Sequence, residues 1–162
     1  MAVVLVRVDQ RLLHGQVVEG WVPFLKADAV VVADDFSASD PLVGMAMTAA
    51  CPARVKLSVQ KVADVAVLAA AGKLPGSRTL VLVGSVAALG LLWKQGARAT
   101  SVNVGNVPLG PGRKRVTPSV ALSPEELAQL EEVAATGAQV EARAVPKEKP
   151  SDLRAMHEAV DT

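Results

Sequence analysis

Short runs of consecutive apolar residues alternate along this chain with longer segments whose apolar residues recur every three or four positions. The short, valine-rich runs are typical of strands buried on both faces, and the longer segments are typical of helices with one buried face. The alternation predicts a single α/β domain over residues 1–162. We expect a doubly wound, mainly parallel sheet with helices on both faces and an antiparallel strand at one edge.

The apolar runs place the predicted strands, and the last of them is expected at a sheet edge. They are Val3–Val8, Ala29–Ala33, Val55–Val59, Thr79–Val83, Ser101–Val104, Val116–Leu122 and Gln139–Val145. The first helix is expected over Gln16–Leu25. Later helices carry start signals, namely Asp40-Pro41, Ser85 and the capping-box pattern of Ser123-Pro-Glu-Glu126.

Composition excludes several classes of function. Seventeen basic and sixteen acidic residues leave a net charge of +1, so no global field favours nucleic acid. Aromatic residues make up 2%, which argues against a platform for stacking bases. A single cysteine, Cys51, rules out an intrachain disulfide and a thiolate zinc cluster. Mean hydropathy is +0.33, but no apolar stretch approaches the ~20 residues of a membrane span. The N-terminus has no secretion signal pattern, so we expect a cytoplasmic protein.

The loop after the first predicted strand collects the most reactive side chains of the chain. Asp9, Arg11 and His14 lie in this loop, and Arg7 is near the end of the strand itself. In open parallel sheets, ligands bind beyond the carboxyl ends of the strands. The helix that follows His14 offers unpaired backbone amides and the positive end of its dipole. The combination suits a dianionic group.

The imidazole of His14 can itself carry that group. A neutral histidine is a nucleophile at cytoplasmic pH, and Asp9 could hold one ring nitrogen and leave the other free to attack phosphorus. The alternative is a polar loop whose histidine only caps a helix or bonds a carbonyl, and spacing does not decide between them. His14 has too few neighbouring ligands for a metal site, and no cofactor is expected. The other histidine, His157, lies in a polar segment and is expected to be an ordinary surface residue.

The string from Arg7 to Val17, Arg-Val-Asp-Gln-Arg-Leu-Leu-His-Gly-Gln-Val, closely resembles the active-site signature of one protein family. This family is the enzyme IIB components of the sugar phosphotransferase system (PTS), mannose/fructose/sorbose class. Weaker likenesses extend along most of the chain, and they comprise Trp21, Ala29 to Asp35, Val102-Asn103-Val-Gly105, and Glu125 to Pro146. The chain departs from the family at Asn106-Val107, which leaves partner docking and sugar class open.

The resemblance implies a reaction and a set of partners. His14 would accept a phosphoryl group from a phosphohistidine of a IIA protein and pass it to a sugar bound by membrane IIC and IID subunits. The protein would thus be a component of a protein-N(pi)-phosphohistidine–sugar phosphotransferase, cytoplasmic and peripherally associated with the membrane subunits. The resemblance gives Arg11 and Arg7 the task of neutralising phosphoryl charge and Asp9 that of orienting the imidazole. The amides of Gly15 and Gln16 would be further donors.

Several alternatives stay open from the sequence. Ser85 could donate its hydroxyl to the phosphoryl group or simply cap a helix. A nucleotide-binding Rossmann protein is disfavoured, because Asp9-Gln-Arg11 and not a glycine-rich turn follows the first strand. Gly105-x-x-x-x-Gly110 also lacks the Lys-Ser/Thr of a phosphate loop. A regulatory binding module that uses phosphorylated His14 without sugar transport would carry the same site. Alanine- and valine-rich helices leave a homodimer open.

Overall fold

Strands from both halves of the sequence meet in one sheet. The computed structural model describes residues 3–162, so Met1 and Ala2 of the predicted domain lie outside the described residues. The strands are β1 Val3–Asp9, β2 Ala29–Ala33, β3 Lys56–Gln60, β4 Thr79–Val83, β5 Ser101–Asn106, β6 Lys114–Thr117, β7 Val120–Leu122, β8 Gln139–Ala142 and β9 Ser151–Asp152. Seven form a sheet in the order β3-β2-β4-β1-β5-β8-β9, which is parallel except for β9. β6 and β7 form a separate antiparallel pair.

Helices connect the strands. A π-helical segment, Val17–Trp21, runs directly into α1 Val22–Leu25. The remaining helices are α2 Asp35–Ser39, α3 Pro41–Ala50, α4 Val62–Ala70, α5 Val86–Lys94, α6 Pro124–Ala135 and α7 Leu153–Asp161. Within residues 3–162, no helix combines the length and the apolar character that a membrane span requires.

The sheet has a core on each face. On one face Val6 and Val8 of β1 pack with side chains of α4, α5, α6 and α7. On the other face Leu5 packs with the π-helical segment, α1 and α3, through residues such as Trp21 and Met47. Adjacent strand residues point to opposite faces, so one apolar strand serves both cores. The predicted doubly wound α/β fold is confirmed.

The predicted helix caps are present. Ser123 accepts a hydrogen bond from the Glu126 amide, and the Glu126 carboxylate accepts one from the Ser123 amide, which completes the capping box. Asp40 accepts from the Leu42 amide at the start of α3. These side chains satisfy amides that the first turn of a helix leaves unpaired.

The prediction for the last strand is wrong in position. Gln139–Val145 was expected to form the sheet edge, but β8 ends at Ala142 and pairs in parallel with β5. The antiparallel edge strand is β9, Ser151–Asp152, which returns after the turn that holds Glu148. A carboxylate oxygen of Glu148 accepts a hydrogen bond from the Ala144 amide and so fixes that turn.

Two local features differ from the sequence-based expectation. The segment Val116–Leu122 is not one extended run, because Pro118 lies at a turn between β6 and β7. The short helix α2 was not predicted, although Asp34 caps it by accepting from the amide and hydroxyl of Ser37. Both features follow from residues with strong turn or cap preferences.

The carboxyl ends of β2, β4, β1 and β5 lie side by side in the sheet. The chain leaves β1 toward the face covered by the π-helical segment, and it leaves β4 toward the face covered by α5. The opposite directions open a crevice beside β1, at the position where α/β sheets bind ligands.

Candidate functional site

The loop over residues 10–16 is held by the last residue of β1. The Asp9 carbonyl accepts from the Leu12 amide at 2.9 Å, and Oδ1 of Asp9 accepts from the Arg11 amide at 2.9 Å. Leu12 has a φ of 58°, a left-handed conformation that is unfavourable for leucine. The side chains of Leu12 and Leu13 are buried in the core beside α3, and this burial offsets the strain.

Asp9 also fixes the imidazole. Nε2 of His14 lies 2.7 Å from Oδ2 of Asp9, whose side chain is fully buried, while the His14 side chain is 15% exposed. A carboxylate oxygen only accepts, so Nε2 carries the proton and Nδ1 of the neutral ring keeps its lone pair. The His14 carbonyl accepts from the amides of Val17 and Val18, so the helix begins directly after the histidine.

Arg7 lies beneath this pair and is fully buried. Its Nη2 and Nε donate to Oδ2 of Asp9 at 2.9 and 3.2 Å, and its Nη1 donates to Oδ1 of Asn103 at 2.6 Å. The guanidinium stacks on the Trp21 ring, 5.1 Å from its centroid. Burial lowers the pKa of Arg7 from its ordinary value, while Asp9 acts in the opposite direction. The structure therefore places Arg7 behind Asp9, without access to a group at the loop surface.

Arg11 faces outward. Its side chain is 48% exposed, and Nη2 donates to Oε1 of Gln16 at 2.9 Å. Gly15 and Gln16 are exposed in the first turn of the helix. Among the hydrogen bonds within residues 3–162, none is donated by the amides of these two residues. The exposed side of the loop thus presents a guanidinium and backbone donors next to His14.

Ser85 lies at the carboxyl end of β4, one strand away from the loop. Its hydroxyl oxygen accepts from the Ala88 amide at 3.1 Å, so it is the N-cap of α5. Ser85 and Arg11 line one cleft of about 460 Å³ together with Asp34 and Phe36. Since the bond to Ala88 uses a lone pair of the hydroxyl, its proton is free to be donated into that cleft.

The two phenylalanines of the chain flank the loop and are both exposed. Phe36, 68% exposed, borders the cleft that contains Arg11. Phe24, 56% exposed, borders a second cleft of about 630 Å³ that Gly15 and Gln16 also line. Exposed aromatic side chains at a site are typical of surfaces that bind proteins.

Sequence reasoning missed the role of Asn103 and Gly105, although it placed Asn103 in the predicted strand Ser101–Val104. Both lie within β5, and Asn103 is fully buried. The signal was present, because an asparagine stands inside the otherwise apolar run Val102-Asn-Val104. A polar residue buried in a parallel strand needs partners, and those partners are found only across the sheet.

The remaining candidates lie elsewhere. His157 is half-buried on α7, with Nε2 2.7 Å from Oε1 of Glu131. Cys51 is half-buried, and burial raises the pKa of its thiol, which disfavours a reactive thiolate. In the described part of the chain, no group of three or more His, Cys, Asp or Glu side chains could hold a metal ion.

Comparison with known proteins agrees with this fold. Residues 3–161 match the family model for the PTS system sorbose subfamily IIB component. The chain is 26% identical to the PTS system fructose-specific EIIB component of Bacillus subtilis (strain 168) over 153 residues, 94% of each protein. It is 30% identical to the PTS system mannose-specific EIIAB component of Escherichia coli (strain K12) over 94% of this chain and 48% of that protein. The crystal structure of the IIBSor domain of the Klebsiella pneumoniae sorbose permease superposes with a TM-score of 0.86, at 23% identity and 98% coverage of both chains.

The fold and the match over nearly the whole chain define a phosphotransferase-type component of a sugar transport system. The chain belongs to the sorbose subfamily of PTS IIB components, within the mannose/fructose/sorbose class.

Proposed function

We propose that His14 is the phosphoryl acceptor of this IIB component and that Nδ1 is the atom that attacks phosphorus. The observation that carries the proposal is the 2.7 Å contact between Nε2 of His14 and Oδ2 of Asp9. Because a carboxylate oxygen accepts, this contact supports a proton on Nε2 and a nucleophilic lone pair on Nδ1. His14 stands at the carboxyl end of the central strand, where a partner protein has access to the loop.

Asp9 would do more than orient the ring. When Nδ1 forms its bond to phosphorus, the bond between phosphorus and the donor nitrogen breaks, and the His14 ring gains positive charge with its Nε2 proton in place. The adjacent carboxylate stabilises that charge as it develops, and no proton has to move. In the onward transfer, a bond forms between the sugar oxygen and phosphorus, the N–P bond breaks, and the ring returns to its neutral form with its Nε2 proton. The sugar hydroxyl releases its proton outside this ring.

The phosphoryl oxygens would lie on the exposed side of the loop. Arg11 offers a charge-assisted donor fork, and the amides of Gly15 and Gln16 add donors at a helix start. The Ser85 hydroxyl faces the same cleft as Arg11 and is a further candidate donor. Arg7 is too deeply buried for direct contact, so we assign it to holding Asp9.

The proposed partners follow from the family and from the surface beside the loop. A IIA protein is the proposed phosphoryl donor, since the mannose-specific relative of Escherichia coli is a EIIAB component. The exposed rings of Phe24 and Phe36 flank His14 and offer apolar anchors for such a protein. Membrane IIC and IID subunits with a bound sugar would be the acceptors, which would place the protein in the cytoplasm at the membrane.

The test is phosphoryl transfer from phosphoenolpyruvate through the general phosphotransferase proteins and a cognate IIA protein. We expect one phosphoryl group on His14, labile in acid and stable in base. The His14→Ala variant should not be labelled, and the matched His157→Ala variant should be labelled normally. Equal labelling of His14→Ala would refute the assignment.

Addition of membranes that contain IIC and IID extends the test to the second transfer. Loss of the label with formation of a sugar phosphate supports the transport role. A stable label under these conditions would instead favour a regulatory role for phosphorylated His14.

A further inference from the structure

A row of polar side chains crosses three neighbouring parallel strands beneath the His14 loop. In the strand register, Arg7 of β1 is opposite Asn103 of β5, and Asn103 is opposite Glu141 of β8. Positions inside a parallel sheet are normally apolar because helices cover both faces. Three polar residues in register therefore need a reason other than packing.

The row is joined by direct hydrogen bonds. Nη1 of Arg7 donates to Oδ1 of Asn103 at 2.6 Å. Nδ2 of Asn103 donates to Oε1 of Glu141 at 3.0 Å and to the Arg143 carbonyl at 3.1 Å. The amide of Asn103 is thereby held at both ends, and its oxygen faces the guanidinium in one fixed orientation. Through Arg7 the row continues to Asp9 and ends at the imidazole of His14.

Gly105 makes room for the guanidinium. The register slips beside it, since Val8 is opposite Val104 but Asp9 is opposite Asn106, so Gly105 is the extra residue of a bulge. A Cβ at position 105 would overlap the guanidinium carbon of Arg7 and both of its terminal nitrogens. Only glycine lets Arg7 lie flat against β5, where it reaches Asp9 and Asn103 together.

We propose that Asn103 and Gly105 are positioning residues for the phosphoryl transfer. This inference rests on the proposed function of His14. Asn103 and Gly105 fix the Arg7 guanidinium, Arg7 fixes Oδ2 of Asp9, and Oδ2 holds the proton of His14 on Nε2. The atom that receives the phosphoryl group is thus selected in part by β5, although within residues 3–162 no hydrogen bond joins β5 to the His14 ring itself.

A merely structural role for the row would lower stability but would leave the reacting nitrogen unchanged. The decisive readout is therefore which of the two ring nitrogens carries phosphorus. ³¹P and ¹⁵N NMR of the phosphorylated protein distinguish Nδ1 from Nε2. The rate of labelling by the IIA donor gives a second readout. Both are measured on folded protein, as judged by circular dichroism and the thermal midpoint.

Two variants disturb the row without altering Arg7, Asp9 or His14. Gly105→Ala pushes the guanidinium away. Asn103→Ser removes the closer of the two acceptors of Nη1 without adding volume and leaves only the Arg143 carbonyl at 3.4 Å. The matched control is Gly44→Ala, because a Cβ at this position in α3 meets nothing within 4 Å in the described part of the chain. Asn103→Ser keeps the test valid if Gly105→Ala does not fold.

We expect labelling to slow by roughly 10- to 100-fold in both variants, by analogy with the loss seen when hydrogen-bond partners that orient metal-ligating histidines are removed. A share of the phosphoryl group should also appear on Nε2, whereas Gly44→Ala and the unaltered protein should show Nδ1 alone. An unaltered rate, or slow labelling still confined to Nδ1, would overturn the inference. Absence of phosphorus from His14 in the unaltered protein would instead contradict the proposed function.

Discussion

His14 and Asp9 are joined by a 2.7 Å hydrogen bond from Nε2 to Oδ2, and Oδ2 accepts two further bonds from the buried guanidinium of Arg7. One carboxylate oxygen therefore links the partly buried imidazole of His14 to a fully buried cation. The other oxygen, Oδ1, accepts from the Arg11 amide and shapes the loop. Asp9 thus determines the tautomer of the ring, the path of the loop and the charge balance beneath it.

The Asp9→Asn variant should lose activity and stability together. An amide can turn its NH₂ toward Nε2, which would move the ring proton to Nδ1, so we expect transfer to slow by a factor of about 100 or more. Arg7 would lose its buried counter-charge, which should lower the free energy of unfolding by about 3–5 kcal/mol. Stopped-flow transfer and urea denaturation measure the two effects. A stable variant with unaltered transfer would contradict both roles of Asp9.

The Arg11→Ala variant should slow phosphoryl transfer and leave the stability of the fold nearly unchanged. The Arg11 side chain is exposed and bonds Gln16, so its loss should change the free energy of unfolding little. Loss of one charge-assisted donor to a transition-state oxyanion should slow transfer by about 100- to 1,000-fold. The matched control is Arg154→Ala on α7, where the side chain is 88% exposed. Normal transfer in Arg11→Ala would remove Arg11 from the mechanism.

The exposed phenylalanines give a prediction about partner binding. In Phe24→Ala and Phe36→Ala, the KM for a phosphorylated IIA donor should rise about 30-fold, since an aromatic anchor contributes about 2 kcal/mol. Chemical labelling by phosphoramidate should stay unchanged because this small donor needs no docking surface. The control is Leu91→Ala on α5, because Leu91 is also exposed but lines neither of the two clefts beside the loop. An unchanged KM in both variants would show that the IIA donor docks on a different surface of the protein.

The hydrogen bonds of Asp28 lead us to expect that the free energy of unfolding depends on pH. Its carboxylate accepts from the hydroxyl and amide of Ser77 and from the Arg78 amide, and chiefly the Ser77 hydroxyl lowers the pKa of Asp28 to about 2. Asp28 thus binds a proton less readily in the folded state than in the unfolded chain, where the pKa of an aspartate is about 3.9. The ionised Asp28 carboxylate therefore contributes fully to the free energy of unfolding above about pH 4, and this contribution is lost as the pH falls toward 2.

The comparison of Asp28→Asn with the unaltered protein tests this dependence. The urea midpoint of the unaltered protein should be higher at neutral pH, and the gap should narrow between about pH 4 and pH 2. Glu132→Gln, on the exposed side of α6, is the control. A gap that is constant with pH would show that the Asp28 charge does not stabilise the fold.

Much of the fold could be predicted from local pattern. The boundaries of β2 and β4 and the start of α3 agree with the prediction, because apolar runs and Asp-Pro caps act over a few residues. The edge strand could not be found this way. β9 has two residues, and it exists only because the turn at Glu148 brings the chain back beside β8. Pairing of that kind has no periodicity to detect.

The candidate site, like the fold, has a part that local sequence predicts and a part that depends on contacts between distant residues. From the residues alone it could be predicted that His14 follows the first strand, stands close to Asp9 and Arg11 in the chain, and precedes a helix, since these relations lie within one short stretch of chain. The burial of Arg7 behind Asp9, and its hydrogen bond to Asn103, 96 residues away, became visible only in the folded chain. Strand order places β5 beside β1, and the bulge at Gly105 admits the guanidinium. Contacts of this kind depend on the register of the sheet, and that register is determined jointly by residues that are distant in sequence.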